Sequence, residues 1–457
     1  MSIGIRRPFE SVDYSAVAQL FPPPPEYFET RWFEEPEVID ARKISRLRDR
    51  AERAYRIPFH RNRWQKAGVE PADLRTLADI DKFPLFDVDD IRLSIEGHPP
   101  LGDYQGMAVE DALREPLRIH MSGGTTGQPR PTLYTAWDRE VGAVLTARGL
   151  YMMGLRPGDT VLNSWSYGLH NGAFNFDEAV SRWLNGLVIT TSTGNVTSTR
   201  KQVELACAYN AAAILTTGPY LLRLAEEAKA MGVELPIRAL AMNVGSEDEL
   251  EQTFDLPAYR SYGFHEVQAV SVECPARRGL HVFEDAYHAQ IVDCDTGEPV
   301  ADGQPGALVL TEFYKTGSAQ FRYNTQDLTF LYPRERCACG SWQRRMGFFA
   351  GRGDNMVKLR GVNVWPEGVG LIAASAPGAT SDYFVTARRI DDRDELIAEI
   401  VSENPRQEWE GIRMDIEQRL KDKLGVHIAA EVVAPGALDV RTGIATAPKP
   451  KRFQDDR

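Results

Sequence analysis

No run of apolar residues in this chain approaches the roughly 18 needed to cross a bilayer, so no membrane span is expected. There is no excess of positive charge. Lys and Arg number 53 against 65 Asp and Glu, a net charge of −12, which argues against bulk binding to nucleic acid or to an anionic membrane. Cysteine is scarce and odd in number, five in 457 residues. That excludes a disulfide framework and suits a reduced, cytoplasmic protein. The first residues, Met1 to Arg7, hold no apolar core and no cleavage motif, so no signal peptide is expected. Internal repeats and low-complexity tracts are missing as well. What remains is an ordinary globular composition, 43% hydrophobic, in a chain long enough for two or three domains.

Glycine and hydroxyl residues concentrate in one place, Ser122-Gly123-Gly124-Thr125-Thr126-Gly127-Gln128-Pro129. A short strand is expected just before it, over 116–121. Glycines let a backbone approach a ligand closely, and successive N–H groups with flanking hydroxyls form a concave anion site. No Gly-Lys-Ser/Thr follows at the Walker spacing, so this is a different kind of polyphosphate loop. A solvated turn is the alternative for the loop taken alone.

Around it the chain alternates short apolar strands with helices. The first hundred residues read as mostly helical, with one amphipathic helix opening at Ile44 whose arginines form a solvated face. Asp87 to Asp90 read as a helix cap rather than a metal site. A helix is expected over 143–152, strands over 160–164, 186–191, 212–217 and 239–244, and a helix from Gly218 through Glu227. Such alternation means an α/β fold with parallel sheet. The segment Trp165 to Phe176 is rich in aromatic and small residues, and Tyr167, Gly168, His170, Asn171 and Phe174 suit a flat apolar pocket wall with a few polar groups. Gly245-Ser246-Glu247 and Ser261-Tyr262-Gly263-Phe264-His265-Glu266 fall where strands end, which is where open α/β sheets bind ligands. From about Gly279 the texture becomes antiparallel, with alternating segments at 288–292 and 307–311, and a distorted barrel is expected there.

Cys337-Ala338-Cys339-Gly340 resembles half of a zinc knuckle. Cys274 and His281 supply a third thiol and an imidazole, completing a closed Cys₃His set that would be structural rather than catalytic. A C-x-C pair is less usual than C-x-x-C, and four unconnected residues are the alternative. Cys207 and Cys294 have no evident partners.

The order of motifs resembles the acyl-adenylate-forming ligases, within them the phenylacetate–CoA ligase branch, over nearly the whole chain. The resemblance rests on the glycine-rich loop, on Tyr262 to Glu266, on Phe321-Arg322-Tyr323-Asn324-Thr325-Gln326-Asp327, and on Gly351 to Pro366. It implies a large N-terminal domain, 1–353, with parallel sheets, helices and the distorted barrel, and a small mobile C-terminal α+β lid, 354–457. It implies that ATP and an aromatic acid form an acyl-adenylate with loss of pyrophosphate, and that CoA then takes the acyl group to give an aryl-CoA thioester and AMP. Positioning and charge neutralisation would dominate such catalysis. Ser122, Gly123, Gly124, Thr125, Thr126 and Gly127 would cradle the phosphates. Glu266 would hold Mg²⁺. Gly245, Ser246, Glu247, Tyr262, Gly263, Phe264, Asp327 and Arg352 would contact AMP. Asp354 would be the hinge, and Lys449 the catalytic lid lysine, with Lys451 as its alternative. Members of this branch also carry similar cysteines.

Two residues depart from the pattern. Gln128 stands where a lysine is usual, and Asn355 where a second acid is usual. An acyl transfer to a carrier-protein phosphopantetheine or to an amine remains open, as does a non-catalytic nucleotide-binding protein. A homodimer is the commonest assembly for any soluble chain.

Overall fold

The computed structural model describes residues 7–122, 129–241, 245–352, 357–360, 362–390, 393–443 and 450–457. The chain divides into two compact units, Met1–Thr325 with Phe330–Phe348, and Gln326–Thr329 with Phe349–Arg457.

The first unit opens with helices. Pro36–Tyr55 starts with proline in its first turn, where the missing N–H costs nothing. Its buried residues Ile39, Lys43, Leu47, Arg50, Ala51 and Ala54 recur at helical spacing, so one stripe faces the protein. The expected solvated arginine face is therefore corrected at Arg50, which is 2% exposed. This helix packs with Pro58–Ala67 around Phe59, Trp64, Phe83, Phe86 and Phe321. Asp87 caps the helix Val88–Gly97, accepting from the N–H groups of Asp89 and Asp90.

A three-stranded parallel sheet has Thr160–Asn163 in its centre, flanked by Leu187–Thr190 and Ala213–Leu215. Helices Thr199–Ala208 and Gly218–Ala230 pack with it through Leu162, Val203, Ile214, Leu221 and Leu224. Two expectations are modified here. The helix placed at 143–152 begins at Ala136, because Thr135 caps it and Asp138 returns a bond to the Thr135 N–H. It is buried around its whole circumference, a central core helix rather than a surface one. The strand expected at 239–244 is reduced to a single bridge, Leu240 to Ala258, and residues 242–244 lie outside the described set.

The antiparallel strands fall into two four-stranded sheets, and no closed barrel forms among the described residues. One has the order Arg345–Met346, Leu280–Val282, Gln268–Glu273, Ser261–Phe264. The other pairs Tyr287–Val292 with Gly306–Glu312, followed by Tyr323–Thr329 and Gly351–Arg352. Gly306–Glu312 is buried along its full length, so the alternation in its sequence does not mark an inner and an outer face. Chain 326–329 of the third strand and the whole of Gly351–Arg352 belong to the second unit.

The second unit is α+β. Its four-stranded sheet runs Ala429–Val433, Arg393–Val401, Tyr383–Ile390, Phe453–Asp455. Helices Pro366–Ala374 and Trp409–Leu424 cover it through Val369, Ala373, Ile412, Ile416 and Leu420. The last strand pairs in parallel with Tyr383–Ile390, Phe453 beside Val385, so the C-terminal segment is docked rather than frayed.

Candidate active site

The glycine-rich loop is the connection of an antiparallel hairpin, Leu117–Met121 with Pro131–Thr135. The second strand was not expected from sequence; it is buried throughout and so shows no alternation. Ser122 and Arg130 close the base of the loop. The Ser122 N–H donates to the Arg130 carbonyl at 3.1 Å, and the Arg130 N–H to Ser122 Oγ at 3.4 Å. Gly123, Gly124, Thr125, Thr126, Gly127 and Gln128 lie outside the described residues.

Glu266 faces this loop base. Its carboxylate is buried, 4% exposed, and Arg130 donates to Oε1 at 3.2 Å. The main chain behind Glu266 is held tightly. The Tyr134 hydroxyl donates to the His265 carbonyl, and the Asn171 amide bridges Tyr134 Oη at 3.1 Å and the same carbonyl at 3.0 Å. The Lys315 ammonium, fully buried, donates to the Glu266 carbonyl at 2.7 Å and rests 3.9 Å from the centre of the Tyr134 ring. Burial pushes this lysine down to about 8, against the pull of Asp138 and Glu266. Arg130 and Lys315 are the cations that sequence reasoning missed. The flanking Pro129 and Pro131 hid Arg130 among turn residues, and nothing local distinguishes Lys315 in Tyr314-Lys315-Thr316-Gly317.

Asp138 ties these pieces together. Its carboxylate accepts from the N–H groups of Thr135, Thr316 and Gly317 and from the Thr316 hydroxyl. Arg50 reaches Glu312 and donates to the Ser318 carbonyl at 2.8 Å. The turn carrying Lys315 is thus braced from the N-terminal helix.

The proposed pocket wall joins the same site. The Met121 N–H donates to the Leu169 carbonyl at 2.8 Å, which seats the segment Trp165 to Asn171 beside the hairpin. Tyr167 meets Phe174 edge-on at 5.4 Å, and His120 lies 5.5 Å from Phe174. The Tyr167 hydroxyl donates to Asp177 at 2.7 Å. His170 lies 6.2 Å from His265, and Gly168 sits in the loop between. Burial first, then nearby cations, holds His120 and His265 down to about 4, so both rings are neutral at pH 7.

Of the residues assigned to AMP, Tyr262, Gly263 and Phe264 lie on the strand Ser261–Phe264, which ends two residues before Glu266. Gly263 passes so close to the Gln268 carbonyl that a Cβ would lie 2.2 Å from it. Gly245 and Ser246 both take positive φ and lead into the helix Glu247–Phe254, with Glu247 accepting from the Gly245 N–H at 3.3 Å. In the second unit, Asp327 and Arg352 are direct cross-strand partners and pair at 3.4 Å. Asp354 and Lys449 lie outside the described residues. The alternative lysine, Lys451, is exposed, its N–H bonded to the Thr442 carbonyl at 2.8 Å.

Cys274, His281, Cys337 and Cys339 come together, with all four donor atoms within 4.8 Å of one another. Cys274 Sγ lies 3.8 Å from Cys337 Sγ, and Cys339 Sγ lies 3.5 Å from His281 Nε2. A zinc tetrahedron with Zn–S about 2.3 Å and Zn–N about 2.0 Å requires separations of about 3.8 and 3.5 Å. The sulfurs are too far apart for a disulfide. His281 Nδ1 is 3.2 Å from the Gln343 carbonyl, an orientation that turns Nε2 toward the thiols. Cys339 is held low, first by the Cys274 thiol and then by His281, while Cys274 is pushed up by Cys339 and by burial. The site lies against the N-terminal helices, with the Trp32 ring tilted against that of His281, 4.7 Å between centres.

The family model for the AMP-binding enzyme C-terminal domain matches residues 361–457. Phenylacetate-coenzyme A ligase of Thermus thermophilus is 32% identical over 83% of this chain and 89% of its own length. The enzyme of that name from Aromatoleum evansii is 30% identical over 92% of this chain and 94% of its own. Among solved structures, 2-hydroxyisobutyryl-CoA ligase in the postadenylation state superposes with a TM-score of 0.80 at 23% identity, covering 94% of this chain and 92% of the other. The fold is that of the adenylate-forming ligases. The chain belongs to the phenylacetate–CoA ligase family. No described helix is long and apolar enough to cross a membrane.

Proposed function

We propose that the protein activates an aromatic carboxylic acid with ATP, releasing pyrophosphate, and passes the acyl group from the adenylate to CoA. The observation that carries this reading is the seating of Glu266 and Arg130 at the base of the glycine-rich loop, beside an aromatic wall. Ser122 to Gly127 bind the phosphates, and Arg130 supplies the positive charge that Gln128 does not. Glu266 would hold Mg²⁺ together with the phosphates, and the ion would supply neutralisation of phosphate charge. Gly245 to Glu247 and Tyr262 to Phe264 receive the adenine side of AMP, and Asp327 with Arg352 the ribose. Tyr167, His170, Asn171 and Phe174 bind the acid, whose aromatic character is inferred from that wall and from the names of the relatives. Residues 354–457 act as a lid that turns at Asp354 and delivers Lys449.

The Cys₃His cluster binds a structural zinc. The match of its spacings to a zinc tetrahedron supports this, and all four donors are protein groups.

The test is pyrophosphate release from Mg-ATP with pooled aromatic, aliphatic and amino acids, with and without CoA. Release with the aromatic pool, raised by CoA, is expected. Release indifferent to CoA would move the acyl group to a carrier protein or an amine. Release from no pool would refute the proposal.

A further inference from the structure

Lys315 presents a physical problem. Its ammonium is 0% exposed, yet no carboxylate forms a direct ion pair with it among the described residues. Its contacts are the Glu266 carbonyl at 2.7 Å and the Tyr134 ring at 3.9 Å. Burying a charge with so little direct compensation is expensive. A methionine of similar length would fill the space without that cost. The arrangement is nevertheless rigid on all sides. The Lys315 N–H donates to Glu312 Oε2 at 2.9 Å, and the Lys315 carbonyl accepts from Arg50. Asp138 holds the next two residues, Thr316 and Gly317.

Lys315 also acts at a particular place. The carbonyl of His265 is held by Tyr134 and Asn171, and that of Glu266 by Lys315. Two successive peptide planes are therefore fixed, and they flank the Cα that carries the Glu266 carboxylate. Fixing both planes fixes the direction of the Cα–Cβ bond. The side chain can then turn only about its own torsions, as a charge-binding group should when it must wait in place for its ligand.

We propose that Lys315 is a positioning residue for adenylation, holding the Glu266 main chain so that its carboxylate meets the magnesium of Mg-ATP. The inference rests on the reading of Glu266 as the metal-facing carboxylate. Outer groups of this kind are commonly worth about 10–100-fold in metal affinity.

The test is calorimetric titration of the full chain with ATP, with and without Mg²⁺, for wild type, Lys315→Met, Lys315→Arg, Glu266→Gln and the Lys315→Met/Glu266→Gln double variant. In the wild type Mg²⁺ tightens ATP binding. Lys315→Met is expected to reduce that gain about tenfold while leaving magnesium-free ATP affinity unchanged. Lys315→Arg, which keeps a charged donor, recovers part of the gain. In the Glu266→Gln background the Lys315 substitution has no further effect, because it acts through a carboxylate already gone. If Lys315→Met does not fold, Lys315→Leu, which also lacks a donor, carries the same measurement. A folded variant without a donor at 315 that keeps the full wild-type gain overturns the proposal. So does equal loss in the Met and Arg variants with equally lowered melting temperatures, which marks a packing role. A wild-type gain retained in Glu266→Gln refutes the reading of Glu266 itself, a separate result.

Discussion

Removing the metal expected at the Cys₃His cluster gives the most quantitative test of the structure. Cys274 and Cys337 are 63 residues apart in sequence, and a zinc ion would cross-link them as a disulfide does. Closing a loop of that length removes about 4 kcal/mol of unfolded-state entropy in the chain-entropy model. For a unit of about 340 residues, that corresponds to a fall of roughly 6 °C in melting temperature. The local effect falls on the N-terminal helices, because the His281 ring packs tilted against Trp32 at 4.7 Å and a Cβ on Gly340 would lie 3.0 Å from the Phe33 ring. The assay combines elemental analysis with thermal melting and tryptophan emission before and after a strong zinc chelator. One zinc per chain, a drop of several degrees on chelation and a change in emission are expected, with recovery on adding zinc back. Cys339→Ser should start near the chelated value and respond little to chelator. Protein purified without metal, with all three thiols reduced and a melting temperature indifferent to chelator and to added zinc, would refute the reasoning.

The other predictions concern the site and the core. Arg130→Gln should slow pyrophosphate release by about 100-fold or more, the usual effect of deleting a donor aimed at developing charge, measured at saturating acid. Phe174→Ala should lower kcat/KM for aryl acids by about 10–100-fold through about 1–3 kcal/mol of lost ring contact, with the KM for ATP unchanged; equal loss for both substrates would place Phe174 outside the acid pocket. Arg148→Met should destabilise the first unit by about 3–5 kcal/mol in urea unfolding, since it strands Asp285, which Arg148 holds bidentately at 2.8 Å within a buried setting. His60 is held down to about 3 by burial, so below pH 6.5 the unfolded chain takes up a proton that the folded chain refuses. Stability should therefore fall as pH drops from 6.5 toward 3, by up to about 1.4 kcal/mol per pH unit from this group, and His60→Gln should flatten that part of the urea-midpoint profile.

The sequence showed the order of elements and the polar ends of strands well, because turn and cap chemistry is local. Asp87 as a helix cap and the strands at Thr160, Leu187 and Ala213 follow from residues within a few positions. The thiol cluster was legible for another reason: few residue types bind metal, so Cys274, His281, Cys337 and Cys339 stand out even across 63 positions. Pro131–Thr135 was missed because a strand buried on both faces has no period to read. The start of the helix at Ala136 did carry a signal, the Thr135 and Asp138 capping pair, at the spacing such pairs take.

Charged residues were the least legible, for a physical reason. A lysine or arginine in sequence is by default a solvated group, and only distant partners reverse that. Arg50 is buried because Glu312 and the Ser318 carbonyl, more than 260 residues away, meet it. Lys315 is buried because Tyr134 and Glu266 converge on it from two other segments. Both brace main chain, Arg50 at the Ser318 carbonyl and Lys315 at that of Glu266. On the proposed function, a chain with −12 overall charge that holds a polyphosphate cannot rely on its general field. Its positive groups have to be brought in one at a time, and each must be desolvated and fixed where it is used. The buried polar frame of Arg50, Asp138, Glu312 and Lys315 is what that requirement looks like in the fold. It is written in pairings far apart in sequence and so is invisible until the chain is folded.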